Sequence, residues 1–455
     1  MNSAKGRIRS RGLSAQKYAA TCVKSSFRSF FRRSLYRLYC HSLSYIPGPK
    51  LVAEIEKMHK KYDPIVRINP REVHVSNSYF YGEVYTGGPR RREQDPKMTA
   101  LFPSPSAAVE TVDHDLHCGR RNILNPFFLK GAIRAMSPYS SADVITSYLY
   151  GENYGFLDTP DFQNSILEGV EEVGNAAHWI RFMPWLGAVL ANAPRAILRR
   201  LRPGMCGIYD LQDKVTGHLC AQERSRRTIF DALTDESVPI AERSQQRLQD
   251  EALILLGAGT ETTSNTLTMA LFHLLSQPEK LAKLREELNQ AGDLSLPAID
   301  KLPYLIGVVF EALRLSHGIL MRLPRVAPTE VIKYQGYAIP MNTPVSMSNY
   351  FVHMDPTIFP SPETFLPERW LLPEEDRVRL SKYLVAFSKG TRACVGMNLA
   401  YAEIFTTIAA LVQHFDMELR DTSFENVRVV RNLEVPRPKE GRWSVKVRIT
   451  GVRLG

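Results

Sequence analysis

The sequence predicts a mainly α-helical fold with small β-sheets, and three observations predict it. From about Asp143 onward the pattern is mostly helical, and its longest candidate helix runs from about Ser244 to Ser276. An apolar stripe through Leu253, Leu256, Leu267 and Leu271 gives that helix a buried face. Short β segments broken by Gly and Pro precede and follow this helical part. The 455 residues are 44% apolar and 23% charged, ordinary globular chemistry, with no internal repeat and no low-complexity tract. Residues 1–45 read as a basic arm and residues 46–455 as one folded domain.

The arm comes first. The first 50 residues contain eleven Lys or Arg and no Asp or Glu, and because the whole chain is +11, the remainder sums to zero. A nucleic-acid footprint is therefore not expected on the body. Val23, Phe27, Phe30, Phe31, Leu35 and Leu38 recur at helical spacing, interleaved with Lys24, Arg28, Arg32, Arg33 and Arg37. That pattern suits a basic amphipathic helix on an anionic membrane surface. Arg- and Ser-rich, acid-free composition also describes a mitochondrial transit peptide, and a disordered basic tail is the third reading. No apolar run reaches the roughly eighteen residues of an ordinary membrane span.

Ile46-Pro47-Gly48-Pro49 forms a stiff turn that ends the arm. Ile65, Val66 and Ile68, then Val73 and Val75, read as strands divided by Asn69-Pro70. After the long helix, Pro278 opens the next one and Gly292 closes it. Another helix spans about Tyr304 to Ser316. Strands at Val331–Tyr334 and Val345–Met347 follow, then a Pro-rich meander from Pro356 to Pro373 and a last helix from about Asn398 to Phe415. Six cysteines, Cys22, Cys40, Cys118, Cys206, Cys220 and Cys394, show no C-x-x-C spacing, which argues against a disulfide framework or a zinc site.

Four motifs carry chemistry. The segment Phe387-Ser388-Lys389-Gly390-Thr391-Arg392-Ala393-Cys394-Val395-Gly396 is built to present a thiolate. Gly390 and Gly396 lack a Cβ and let the loop approach a flat cofactor closely. Backbone N–H groups aimed at the sulfur keep it deprotonated, Phe387 shields the loop, and Arg392 can reach an acidic cofactor group. An isolated Cys is usually a small buried hydrophobe; the F-x-x-G-x-R-x-C-x-G spacing overrides that reading. In the long helix, Ala258-Gly259-Thr260-Glu261-Thr262-Thr263 puts small residues one turn before a hydroxyl, making room for a ligand. An interior Gly costs a helix about 1 kcal/mol, so it wants a reason. An ordinary polar helix face is the alternative. A dinucleotide loop is not, since no third Gly follows Gly257-Ala258-Gly259 and no strand precedes it.

Third, Glu311-Ala312-Leu313-Arg314 pairs opposite charges at i and i+3, and Pro367-Glu368-Arg369-Trp370 follows in the meander. Alone, the first is a common surface pair worth about 0.2–0.5 kcal/mol. Fourth, Asp113-His114-Asp115-Leu116-His117-Cys118-Gly119-Arg120-Arg121 precedes Asn125-Pro126-Phe127-Phe128, and its bland reading is a solvated basic turn.

Together, and in this order, the motifs resemble the cytochrome P-450 superfamily over residues 46–455. Details such as His353-Met354-Asp355-Pro356 are most similar to fungal secondary-metabolite, trichodiene-oxygenase-like members. The resemblance implies haem (iron protoporphyrin IX) held between the long distal helix and the Cys loop, with Cys394 as axial ligand to the iron. It implies that Glu261 and Thr262 manage protons beside Ala258 and Gly259, that His117, Arg121, Arg325 and Arg392 hold haem propionates, with Arg322 a rival to Arg325, and that Glu311, Arg314 and Arg369 form a buried structural network. It further implies a monooxygenase that oxidises a hydrophobic small molecule, a terpenoid or other fungal metabolite, with O2 and electrons from NADPH–cytochrome reductase. The expected location is the cytosolic face of the endoplasmic reticulum, or the mitochondrion with a ferredoxin. Ile319, Leu320 and Met321 are the expected groove over the haem. Two departures stand out: the stretches at 51–54 and 128–143 look short beside the family, which makes a catalytically impaired or non-catalytic product the alternative. A haem-thiolate isomerase or dehydratase is the second alternative, and it would leave Glu261 and Thr262 idle.

Overall fold

The computed structural model describes residues 50–62, 64–99, 104–134, 206–220, 228–433 and 435–453, with isolated residues between 143 and 200. The basic arm, and with it the amphipathic pattern from Val23 to Leu38, lies outside the described residues. So do residues 135–142 of the short stretch at 128–143, beyond the helical turn Lys130–Arg134.

The long helix, α4 here, spans Gln245–Ser276, and its start is fixed locally: the Ser244 side chain accepts from the Arg247 N–H. It follows α1 (Lys50–Tyr62), α2 (His114–Leu124) and α3 (Cys206–Cys220). Helix α5 (Pro278–Ala291) opens on Pro278 and stops at Gly292 with φ 66°, a left-handed position that a Cβ disfavours. Helix α6 (Pro303–Ser316) and α7 (Met397–His414) complete the frame. Helical structure thus begins well before Asp143. Helix α1 starts at Lys50, directly after Pro49 in the sequence, and buries Ile55. Proline is tolerated at or just before a helix start, so Pro49 in the sequence is compatible with a helix that begins at Lys50.

Two apolar cores flank α4. One joins it to α2 and α3 through Leu124, Leu211, Leu253 and Leu256; the other joins it to α5, α6 and α7 through Met269, Leu284, Val308 and Ile408. The main sheet has five strands in the order β1-β2-β7-β4-β3. Here β1 is Ile65–Asn69, β2 Glu72–Val75, β3 Glu93–Gln94, β4 Arg325–Val326 and β7 Pro344–Ser346. The pair β2–β7 is parallel, Val73 opposite Val345, and the other neighbours are antiparallel. Three two-stranded antiparallel pairs lie outside it: β5 (Ile332–Tyr334) with β6 (Tyr337–Ile339), β8 (Phe415–Leu419) with β11 (Val447–Val452), and β9 (Arg431–Leu433) with β10 (Val435–Arg437). The sheet carries Arg325, and the β9–β10 pair reaches α4. Among the described residues no helix is long and apolar enough to cross a membrane.

Candidate active site

The Cys394 loop is built by short backbone closures. Cys394 N–H donates to the Phe387 carbonyl at 2.9 Å and Ala393 N–H to Gly390 at 3.1 Å, which folds the segment back before α7 begins at Met397. Gly390 has φ +74°, and a Cβ there would sit 2.1 Å from the Thr86 carbonyl oxygen. Its freedom is therefore used to nest the loop against the Tyr85–Thr86 backbone. The other loop glycine acts through its amide: the Gly396 N–H donates to the Cys394 sulfur. Phe387 packs on Tyr401 with ring centroids 5.1 Å apart and borders the same cavity as Cys394.

That cavity measures about 390 Å³ and lies between the Cys loop and the middle of α4. The sulfur of Cys394 is deep in the protein yet accessible, because it opens onto this internal space. Burial pushes the Cys394 thiol up, while the Gly396 N–H and the Arg121 guanidinium pull it down. A bound cation at the sulfur would tip that balance to thiolate.

Ala258, Gly259, Glu261 and Thr262 form the facing wall. The Thr262 hydroxyl donates to the Ala258 carbonyl at 2.8 Å, which weakens the helix backbone there. At Gly259 a Cβ would lie 2.3 Å from Ile145 Cδ1, so this glycine both borders the cavity and admits the Ile145 side chain. Glu261 is ion-paired with the buried Arg437 of β10. Nothing in the local sequence around Glu261 announces that partner.

One edge of the cavity is basic. His117 and Arg121, four apart on α2, border it together with Arg325 and Arg392. Arg392 donates to the carbonyls of Arg92, Thr111, Val112 and Asp113, Arg121 to Ala393, and Arg325 to Leu323 and Pro324. Among the described residues none of these three guanidiniums bonds a carboxylate, and buried His117 Nδ1 has no partner. Burial, then the Arg392, Arg121 and Arg325 charges, pushes His117 down to about 3. Burial likewise holds Arg392 down to about 10. Three cations and an orphaned imidazole nitrogen at the rim, with a sulfur in the floor, fit a flat dianionic cofactor with a central metal. Arg322 takes no part: it pairs with Glu72 at 2.6 Å, and Ser346 donates to the same carboxylate.

The predicted network is assembled behind the site. Fully buried Glu311 accepts from Arg314 at 2.7 and 3.0 Å and from Arg369 at 3.0 Å. Trp370 Nε1 and the Leu366 N–H also donate to it, at 3.0 Å each. Arg314 spends its remaining donors on the carbonyls of His353, Pro362 and Thr364. Trp370, quoted in the motif, had no predicted role. Of the expected groove residues, Ile319 and Met321 border the cavity, whereas Leu320 between them is buried away from it.

A family model described as cytochrome P450 matches residues 121–439. The chain belongs to the cytochrome P450 family. It is 38% identical to the cytochrome P450 monooxygenase TRI4 of Trichoderma arundinaceum, covering 90% of this chain and 91% of that one. It is 37% identical to the conidiogenone synthase PchP450 of Penicillium rubens, with coverage of 92% and 96%. A retinoic-acid-bound cyanobacterial CYP120A1 shares the P450 fold at TM-score 0.67 and 22% identity, over 88% of this chain and 94% of that one. The protein is accordingly a P450 monooxygenase of the fungal secondary-metabolite type, with haem as its cofactor. The Trichoderma alignment runs over 472 positions, more than the 455 residues present here, so parts of that relative have no counterpart in this P450.

Proposed function

We propose that this P450 oxidises a terpenoid or similarly apolar small molecule at a C–H bond, drawing electrons from an NADPH–cytochrome reductase. The observation that carries the reading is the cavity itself: Cys394 on one wall, Glu261 and Thr262 on the other, and Leu253, Ile254, Ile319, Met321 and Leu323 around them. Such an apolar enclosure takes up a hydrophobic ligand and excludes bulk water. The resemblance of the sequence to trichodiene-oxygenase-like members, beside its similarity to a synthase named for conidiogenone, supports a terpenoid.

Haem, when bound, supplies the redox chemistry that puts one oxygen atom of O2 into substrate and releases the other as water. The chain's own residues do the rest. Cys394 ligates the iron as thiolate, favoured by the Gly396 N–H and Arg121. His117, Arg121, Arg325 and Arg392 hold the propionates. Thr262 holds water at the α4 wall, and Glu261 passes protons to it. Residues 1–45 rest on the cytosolic surface of the endoplasmic reticulum; a fluorescent fusion of residues 1–50 that marks mitochondria instead would replace the reductase by a ferredoxin.

The test is the carbon monoxide difference spectrum of the reduced protein. The wild type should give the thiolate-type band, and Cys394→Ser should lose it together with turnover. Turnover unchanged in Cys394→Ser would sink the mechanism. A wild type that binds no haem would instead mark the product as impaired, in keeping with its shortness beside the Trichoderma relative.

A further inference from the structure

The acid of the α4 wall is not free. Arg437 Nη2 donates to Glu261 Oε1, and Arg437 itself is buried at the end of β10. Its backbone is fixed: Arg437 pairs with Arg431 across β9–β10, and its carbonyl accepts from Val430 at 2.9 Å. Two residues away, Val435 borders the cavity. The guanidinium therefore ties the β9–β10 pair, whose Val435 borders the cavity, to the acidic residue beside Thr262.

Two buried donors on or next to this pair are left open. Arg437 Nη1 is buried and has no acceptor among the described residues. Asn265 stands one helical turn after Glu261, hence on the same face of α4, and its buried Nδ2 also lacks an acceptor. Buried N–H groups are almost always bonded. Water, which wants two to four polar partners, is the acceptor that suits such buried donors near a carboxylate.

We propose that Arg437 is a positioning residue for proton delivery: it aims the Glu261 carboxylate and, with Asn265, fixes the water from which Glu261 draws protons for the cavity. The proposal rests on the monooxygenase reading. It assigns the proton entry to the face of α4 covered by β9–β10. A carboxylate so clamped relays a proton without leaving its place: it takes one from the water on its outer side and releases one toward Thr262.

The test needs no substrate. The haem-loaded enzyme, its reductase, NADPH and O2 are mixed, and hydrogen peroxide is measured against NADPH consumed. One NADPH and one proton reduce O2 to peroxide; two NADPH and two protons reduce it to two waters. Proton supply decides between the two, so Arg437→Met should raise the peroxide share several-fold, and Arg437→Lys should return it toward wild type. Arg437→Met combined with Glu261→Gln should be no worse than Glu261→Gln alone, because both break one path. Thermal midpoints of Arg437→Met, Glu261→Gln and the double variant, measured without turnover, should show the two substitutions to be coupled. An unchanged peroxide share in Arg437→Met, with the thiolate band intact, would overturn the proposal; so would independent, multiplying effects. If Arg437→Met fails to take up haem, Asn265→Leu carries the test, with the same rise expected and no change overturning it. Failure of the underlying reading looks different: the wild type would show no thiolate band or consume no NADPH.

Discussion

At the scale of single residues, burial decides which charges matter. Glu311 is fully buried and satisfies Arg314, Arg369, Trp370 and the Leu366 amide at once. Glu311→Gln keeps the shape but leaves two buried guanidiniums without an anion, which should cost about 3–5 kcal/mol. Chemical unfolding would check this, with haem content falling in parallel. Arg448→Ala is the contrast: its partner Glu418 and its own side chain are both more than half exposed, so the loss should stay below about 1 kcal/mol. The same distinction explains what could be read from the sequence. The Cys394 loop was legible because a thiolate in a tight loop needs particular neighbours within ten positions. The role of Gly390 was only half legible, since the Thr86 carbonyl it accommodates comes from far earlier in the chain. Arg437 was not legible at all: its bond to Glu261 spans 176 positions, and no local pattern encodes it.

At the scale of elements, α4 does more than present its wall to the cavity. Its first turns carry Asp250 and Glu251, two buried carboxylates that hold a distant loop. Asp250 accepts from the Ser106 N–H and hydroxyl, and Glu251 accepts from the Ala108 N–H at 2.9 Å while paired with Arg247. Ser104, Ala108 and Val109 of that loop border the cavity. Asp250→Ala should therefore loosen the cavity wall. Binding of an apolar ligand, read from the haem absorption shift, should weaken by about tenfold, the scale of one charge-assisted hydrogen bond. The thiolate band should stay in place, and proteolysis near Ser106 should speed up. Helix limits were legible because caps are local: Ser244, Pro278 and Gly292 mark ends that the structure keeps. Strand partners were not, because short segments such as Pro344–Ser346 gain their place only from Val73 and Arg325.

At the scale of the whole molecule, buried histidines set the response to acid. His317 has both ring nitrogens unpartnered among the described residues, and His273 stacks on Phe365 at 4.7 Å. Burial pushes His317 down to about 3 and His273 down to about 4. In the unfolded chain both titrate near the ordinary value of about 6.5. Above that value neither state binds the proton, and folding is indifferent to pH. Below it the unfolded chain takes up protons that the native fold refuses, so stability falls as pH drops from about 6.5 toward 4, by about 1.4 kcal/mol per pH unit for each group. The thermal midpoint should thus be flat above neutrality and decline toward pH 4, and His273→Gln should make that decline shallower.

The pairing of β2 with β7 sets an order of events during synthesis. Val73 leaves the ribosome early, yet its partner Val345 is made only after most of the chain, and Gln94 likewise waits for Arg325. Until then β2 presents an open strand edge, which in a growing chain invites aggregation and the attention of chaperones. The basic rim needs Arg325 and Arg392, and the floor needs Cys394, all of them late arrivals. Prosthetic-group capture consequently waits until Cys394 has been made, and ligand bound by the native state alone then draws newly made chain toward it.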